Sequence, residues 1–162
     1  MTDLAFNVGL NFSRYYQQVA DELHRLVDPL SEEQIWSKPF AYGNSIGHLL
    51  LHVTGNLSYY IGTQIAETGY ERNRPLEFTD PEHKQKAALL KGFDECMVMV
   101  QATLAKQSAN DWGTAYTAKG EEDAGDRFTI FLRCAAHAYH HMGQIIYLSE
   151  EIKRQSAKAQ RA

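Results

Sequence analysis

Cysteine is scarce in this 162-residue chain: only Cys96 and Cys134 occur, far apart and each inside an apolar pattern. A disulfide framework is thereby excluded, and a reducing compartment suits the chain better. Positive charge is not in excess either, because 16 Lys and Arg against 20 Asp and Glu leave a formal charge of −4. With no basic face to meet a phosphate backbone, nucleic acid is not an expected partner. No stretch approaches the ~18 consecutive apolar residues of a membrane span. The opening MTDLAFNVGL lacks the basic start and long apolar run of a signal peptide. A cytoplasmic protein with no membrane partner is the expectation. GxGxxG, P-loop, CxxC and nucleophile-elbow patterns are all missing, so nucleotide-dependent and serine-hydrolase mechanisms find no support.

Strict apolar alternation is also rare, and there are only four prolines. What is present is apolar spacing of three and four residues, the mark of helices. A first helix is predicted from about Asp3 to Val27, with Leu4, Val8, Phe12, Tyr15, Val19 and Leu23 on one stripe and Asp28-Pro29 as its end. Ser31-Glu32-Glu33-Gln34 opens a short helical turn that closes before Pro39. A second long helix starts at the cap candidates Asn44 or Ser45 and runs to about Thr68, where Gly69 stops it. Thr79 or Asp80, followed by Pro81, sets a cap and first-turn proline for a third helix reaching about Gln107. Residues 108–126 are polar and irregular. A fourth helix covers about Arg127 to Arg154.

Four such stripes, with 44% hydrophobic residues, make one all-α domain, a four-helix bundle over residues 1–155, with a frayed tail at 156–162. The connections at 28–44, 69–80 and 108–126 exceed what an antiparallel turn needs, so one or more is expected to cross the bundle.

Three histidines fall within five positions in AAHAYHHMGQI, residues 135–145. At ~100° per residue, His137 and His141 lie within about 40° of each other, in the stripe that holds Ile130, Cys134, Ile145 and Leu148. His140 falls on its edge. SIGHLLLHVTGN on the second helix repeats the four-residue spacing with His48 and His52, of which His52 is nearer the core. A single buried imidazole is ordinarily a hydrogen-bonded core residue. Two side by side are costly to desolvate, and a metal relieves both by taking a lone pair from each at ~2.0 to 2.1 Å. Core filler and metal site both remain open on spacing alone.

The motif HxxxHxGQI, read as His137, His141, Gly143, Gln144 and Ile145, together with the histidine helix in LSEEQIWSKPFAYGNSIGHLLLH, resembles the DinB-like (YfiT-like) superfamily. The resemblance covers nearly the whole chain. It implies a bundle with up-down-down-up connections, commonly a homodimer, holding a divalent metal, often nickel or zinc, on three histidines. Carried over by position, those are His52, His137 and His141. Members with known activity include thiol transferases using bacillithiol and a mycothiol-dependent maleylpyruvate isomerase; others are regarded as metal hydrolases. The crowding by His48 and His140 departs from the pattern: His48 is an alternative ligand, and either can serve as a base beside the metal.

Three neutral imidazoles leave a coordination position open, where the pKa of a bound water falls towards ~7 and a thiolate is favoured. The resulting expectation is a metal-dependent enzyme that transfers a low-molecular-weight thiol to an electrophile or hydrolyses a small substrate. A non-enzymatic, stress-associated metal-binding protein is the alternative, and a metal-free helical interaction module the blandest one. Gln144 is placed to bond a ligand ring or bound water, or else to face solvent. Gly143 allows a close approach or is merely tolerated. Asn56 and Tyr60, one and two turns beyond His52, can line a pocket, although core packing suits Tyr60 better. Cys134 reads as a small buried hydrophobe rather than a fourth ligand. Glu121, Glu122, Asp123 and Asp126 suit the amino end of the fourth helix rather than a calcium loop. Trp36 and Trp112 are expected to pack at bundle ends, with a substrate lid the lesser reading.

Overall fold

A computed structural model describes residues 4–79 and 81–159. Helix α1, Leu4–Val27, follows the predicted stripe and buries Tyr16, Val19, Leu23 and Leu26. The short α2, Glu32–Trp36, is started by a capping box in which Ser31 and Gln34 satisfy each other's backbone N–H groups. Ser45 caps α3, Ile46–Leu57, by accepting the His48 N–H. The predicted continuation to Thr68 is corrected: a π-helical turn, Ser58–Thr63, widens the helix, and positive φ at Glu67 and Gly69 then turns the chain away.

The start of the third long helix is also corrected. Thr79 closes a separate short helix, α4, Leu76–Thr79; Asp80 lies outside the described residues, and His83 has a positive φ that interrupts any helix from Pro81. Helix α5 is Lys86–Leu104, and its first N–H is capped at 2.8 Å by the Glu32 carboxylate of α2. The polar segment 108–126 holds α6, Ala109–Trp112, and a small antiparallel ribbon of β1, Ala115–Tyr116, and β2, Gly125–Asp126. Helix α7, Arg127–Ala159, runs five residues beyond Arg154, and 160–162 lie outside the described residues. Asp126 caps it by accepting the Thr129 N–H at 2.8 Å.

Side-chain pairs fix the direction of each long helix. Phe12 meets Phe128 edge-on near the start of α7, whereas Tyr15 meets Tyr139 further along, so α1 and α7 are parallel; Tyr16 Oη donates to the Phe131 carbonyl between them. Ser13 reaches Gln101 whereas His24 reaches Asp94, which makes α1 and α5 antiparallel. Cys96 bonds the Thr54 carbonyl while Gly62 lies against Met99 further along both helices, so α3 and α5 are parallel. The bundle is therefore all-α with up-down-down-up order. A parallel α3/α5 pair obliges the connection to return along the bundle, and α4 lies back against α3. Trp112 is buried on Phe12 and Phe131, while Trp36 stacks on His83 and donates to the Lys84 carbonyl. No helix among the described residues is long and apolar enough to cross a membrane.

Candidate metal centre

The two histidine helices face each other across the bundle. His52 of α3 and His137 of α7 bring their Nε2 atoms to 3.0 Å, and His141 Nε2 lies 3.1 Å from His137 Nε2. One nitrogen from each of the three rings lies within 4.8 Å of the others, so the trio can hold a metal ion. Two nitrogens each bound at ~2.0 to 2.1 Å to one ion stand roughly 3 Å apart, which is the spacing of His137 from each of its two neighbours.

Outer partners set which nitrogen faces inward. Glu77 Oε2 lies 2.6 Å from His52 Nδ1, and Arg72 grips the same carboxylate through Nε at 2.7 Å and Nη2 at 3.0 Å. Burial by itself would raise the Glu77 pKa, but the hydrogen bonds from His52 and Arg72, with the Arg72 charge, outweigh it and hold the carboxyl below its usual range. The ionised carboxylate accepts, so His52 Nδ1 donates and its Nε2 carries a lone pair. On the other helix, His141 Nδ1 lies 2.7 Å from Gln144 Oε1 and donates to it. His141 Nε2 is then a second lone pair.

His137 completes the fit. Its Nδ1 is buried without a hydrogen-bond partner, while its Nε2 faces both neighbouring rings. A proton on Nε2 can satisfy only one of two lone pairs; a proton on Nδ1 leaves three lone pairs converging and a buried donor unmet. A divalent cation accepts all three. Burial, then the neighbouring His141 and His52 rings and Arg72, pushes the His137 pKa down to about 3. Burial likewise lowers His141 to about 4, against the opposing bond to Gln144. Both rings are neutral near pH 7 and keep the lone pairs that a metal needs.

The other sequence candidates separate cleanly. His48 is buried at the start of α3 with Nδ1 2.6 Å from Ser45 Oγ and its ring edge-on to Trp36, away from the trio. His140 is exposed on the rim, its ring 5.0 Å from that of His141. Cys134 is buried in the core, and burial raises its thiol pKa far above the ordinary value. A side chain at Gly143 would meet nothing within 4 Å, so no close approach is served there. Of the acidic run, Asp126 caps α7, and Glu121 and Asp123 both bind Arg133 at 2.7 Å.

Glu77 and Arg72 escaped the sequence reading because they lie in a connection with no periodicity. One signal was available in Gly55, within HVTGN. A Cβ there would collide with the Glu77 carboxylate, so this mid-helix glycine admits the acid that steadies His52.

One side of the trio opens into a cavity of about 610 Å³, lined by His52, Asn56, Tyr60, Arg74, Lys119 and His137 among others. Asn56 lines it as expected; Tyr60 does so as well, through the π-helical turn, rather than packing only in the core. The Tyr60 hydroxyl donates to the Lys119 carbonyl, and its own carbonyl accepts from Tyr116. Gly120 follows with φ +87°, where a Cβ would strike the Tyr60 hydroxyl.

A family model of the DinB superfamily matches residues 15–145. Among solved structures, a conserved protein from Enterococcus faecalis superposes with a TM-score of 0.72 over 88% of this chain and 95% of that one, at 13% identity. At that identity the likeness speaks for the fold alone. No curated protein matches.

Proposed function

The chain belongs to the DinB superfamily, and on that premise we propose that it is a divalent-metal-dependent enzyme with His52, His137 and His141 as the ligands. The observation that carries the reading is the convergence of three imidazole nitrogens, two of them turned inward by Glu77 and Gln144, beside a cavity that His52 and His137 line. Nickel or zinc suits a set of three imidazoles. A bound ion would supply Lewis acidity, lowering the pKa of a water or thiol in its open position. The protein side chains do the rest. Glu77 holds the His52 ring and, with Arg72, fixes its tautomer, Gln144 does the same for His141, and the cavity admits a small reactant.

The reaction that fits is transfer of a low-molecular-weight thiol to an electrophile, or hydrolysis of a small substrate, in a cytoplasmic homodimer. A non-enzymatic, stress-associated metal-binding role is the second reading. The cavity beside the trio favours the first, since a purely structural ion needs no access.

Metal analysis of untagged protein tests the core of this proposal. About one divalent ion per chain is expected, falling to background in the His52→Ala/His137→Ala/His141→Ala variant. Unchanged metal content in that variant would overturn it. An ion that exchanges no ligand with added thiols or anions would leave the structural reading instead.

A further inference from the structure

The cavity has a chemical polarity that a metal site alone does not require. Arg72 has a largely buried side chain and is spent on Glu77, which binds it through both oxygens. Glu121, also in the lining, is held by Arg133, which it shares with Asp123. Two further cations line the cavity, of which Lys119 also acts on nearby Glu122. Arg74 lies over the Phe78 ring, and Lys119 sits in the loop pinned by Tyr60; among the described residues neither forms an ion pair. Asn56 also lines the cavity and is only 7% exposed, and its Oδ1 is buried without a hydrogen-bond partner. A buried amide with an unmet polar atom costs stability, and a donor group that enters beside Asn56 would offset that cost.

These groups differ in burial: Asn56 is buried, whereas Arg74 and Lys119 are exposed. Asn56 is one helical turn beyond His52 on α3, while Arg74 and Lys119 come from two connections that also line the cavity. We propose that this cavity binds a small organic anion, with the charged group met by Arg74 and Lys119 and the polar body hydrogen-bonded by Asn56, while its reacting end faces the histidines. The inference names the substrate class for the metal reading above and rests on it for the orientation of the reacting end. The anion preference itself depends only on side chains of this chain. Two exposed cations together amount to a preference of about tenfold at low salt, and screening weakens it as salt rises.

The probe is imidazole-4-propionate against its neutral amide, titrated into cobalt(II)-loaded protein at low ionic strength and followed by the cobalt absorption spectrum. The acid is expected to bind about tenfold tighter than the amide. In the Arg74→Gln/Lys119→Gln variant the two affinities should become equal, with cobalt content and amide affinity unchanged. Asn56→Leu should weaken both ligands several-fold, keep their ratio and leave the melting temperature no lower. Equal binding of acid and amide by the parent protein, or a preference that survives the double variant, overturns the proposal. If no cobalt binds, the metal reading fails on its own account. Ligand-detected NMR with the same pair on the metal-free protein then decides the anion preference.

Discussion

Glu77 is the residue on which the centre leans most heavily. Its carboxylate is buried, turns His52 inward and neutralises Arg72. Glu77→Gln keeps the shape but leaves the Arg72 charge buried and unpaired, a change that costs about 3 kcal/mol or more. Urea denaturation should therefore show a lower midpoint, and metal affinity should fall about 10- to 100-fold with the loss of the ring's partner. Gly55→Ala should act in the same direction without touching a charge, because its methyl group displaces the same carboxylate. A variant that holds metal as tightly as the parent would show that Glu77 does not steady the ring. The three histidines were legible in the sequence because i,i+4 spacing places both imidazoles of α7 on one face. Their outer partner was not, since a single acid in an aperiodic connection carries no local mark of burial.

At the level of elements, the helices whose stripes are long and capped were readable, α1 and the start of α3 above all. The errors lie where a tertiary contact replaces a local signal. Helix α5 begins at Lys86 because Glu32, from another helix, caps it, and the π-helical turn after Leu57 has no signature in apolar spacing. Contacts between elements also make the fold sensitive to pH. His24 on α1 bonds Asp94 on α5 at 2.7 Å and Asp28 at 3.4 Å. The Asp94 hydrogen bond is the chief cause that raises its pKa above 6.5, against some burial. A raised folded pKa means that the stabilisation is complete below about 6.5 and is lost as pH rises through the raised value. His24→Gln should accordingly lower the denaturation midpoint at about pH 5.5, and the two proteins should converge at about pH 9. A gap that widens with pH would count against the ion pair.

For the whole molecule, the proposed ligands come from α3 and α7, elements far apart in sequence. An ion that joins them binds the folded state alone, so saturating zinc or nickel should raise the melting temperature. At a free metal concentration about 100 times Kd, linkage gives about 2.7 kcal/mol. Chelator should reverse this in the parent and do nothing in the triple alanine variant. The bundle order was implied by resemblance and not by periodicity, which is blind to helix direction. That order also has a cost for integrity. Since the chain must run back along the bundle after the π-helical turn, the clamp on His52 hangs on a connection, largely exposed over residues 67–76, outside the four long helices. A single protease nick near Glu71 would leave those helices whole and still packed, yet untether Arg72 and Glu77 from one side, so that the fragment pair stays helical while its grip on the ion loosens.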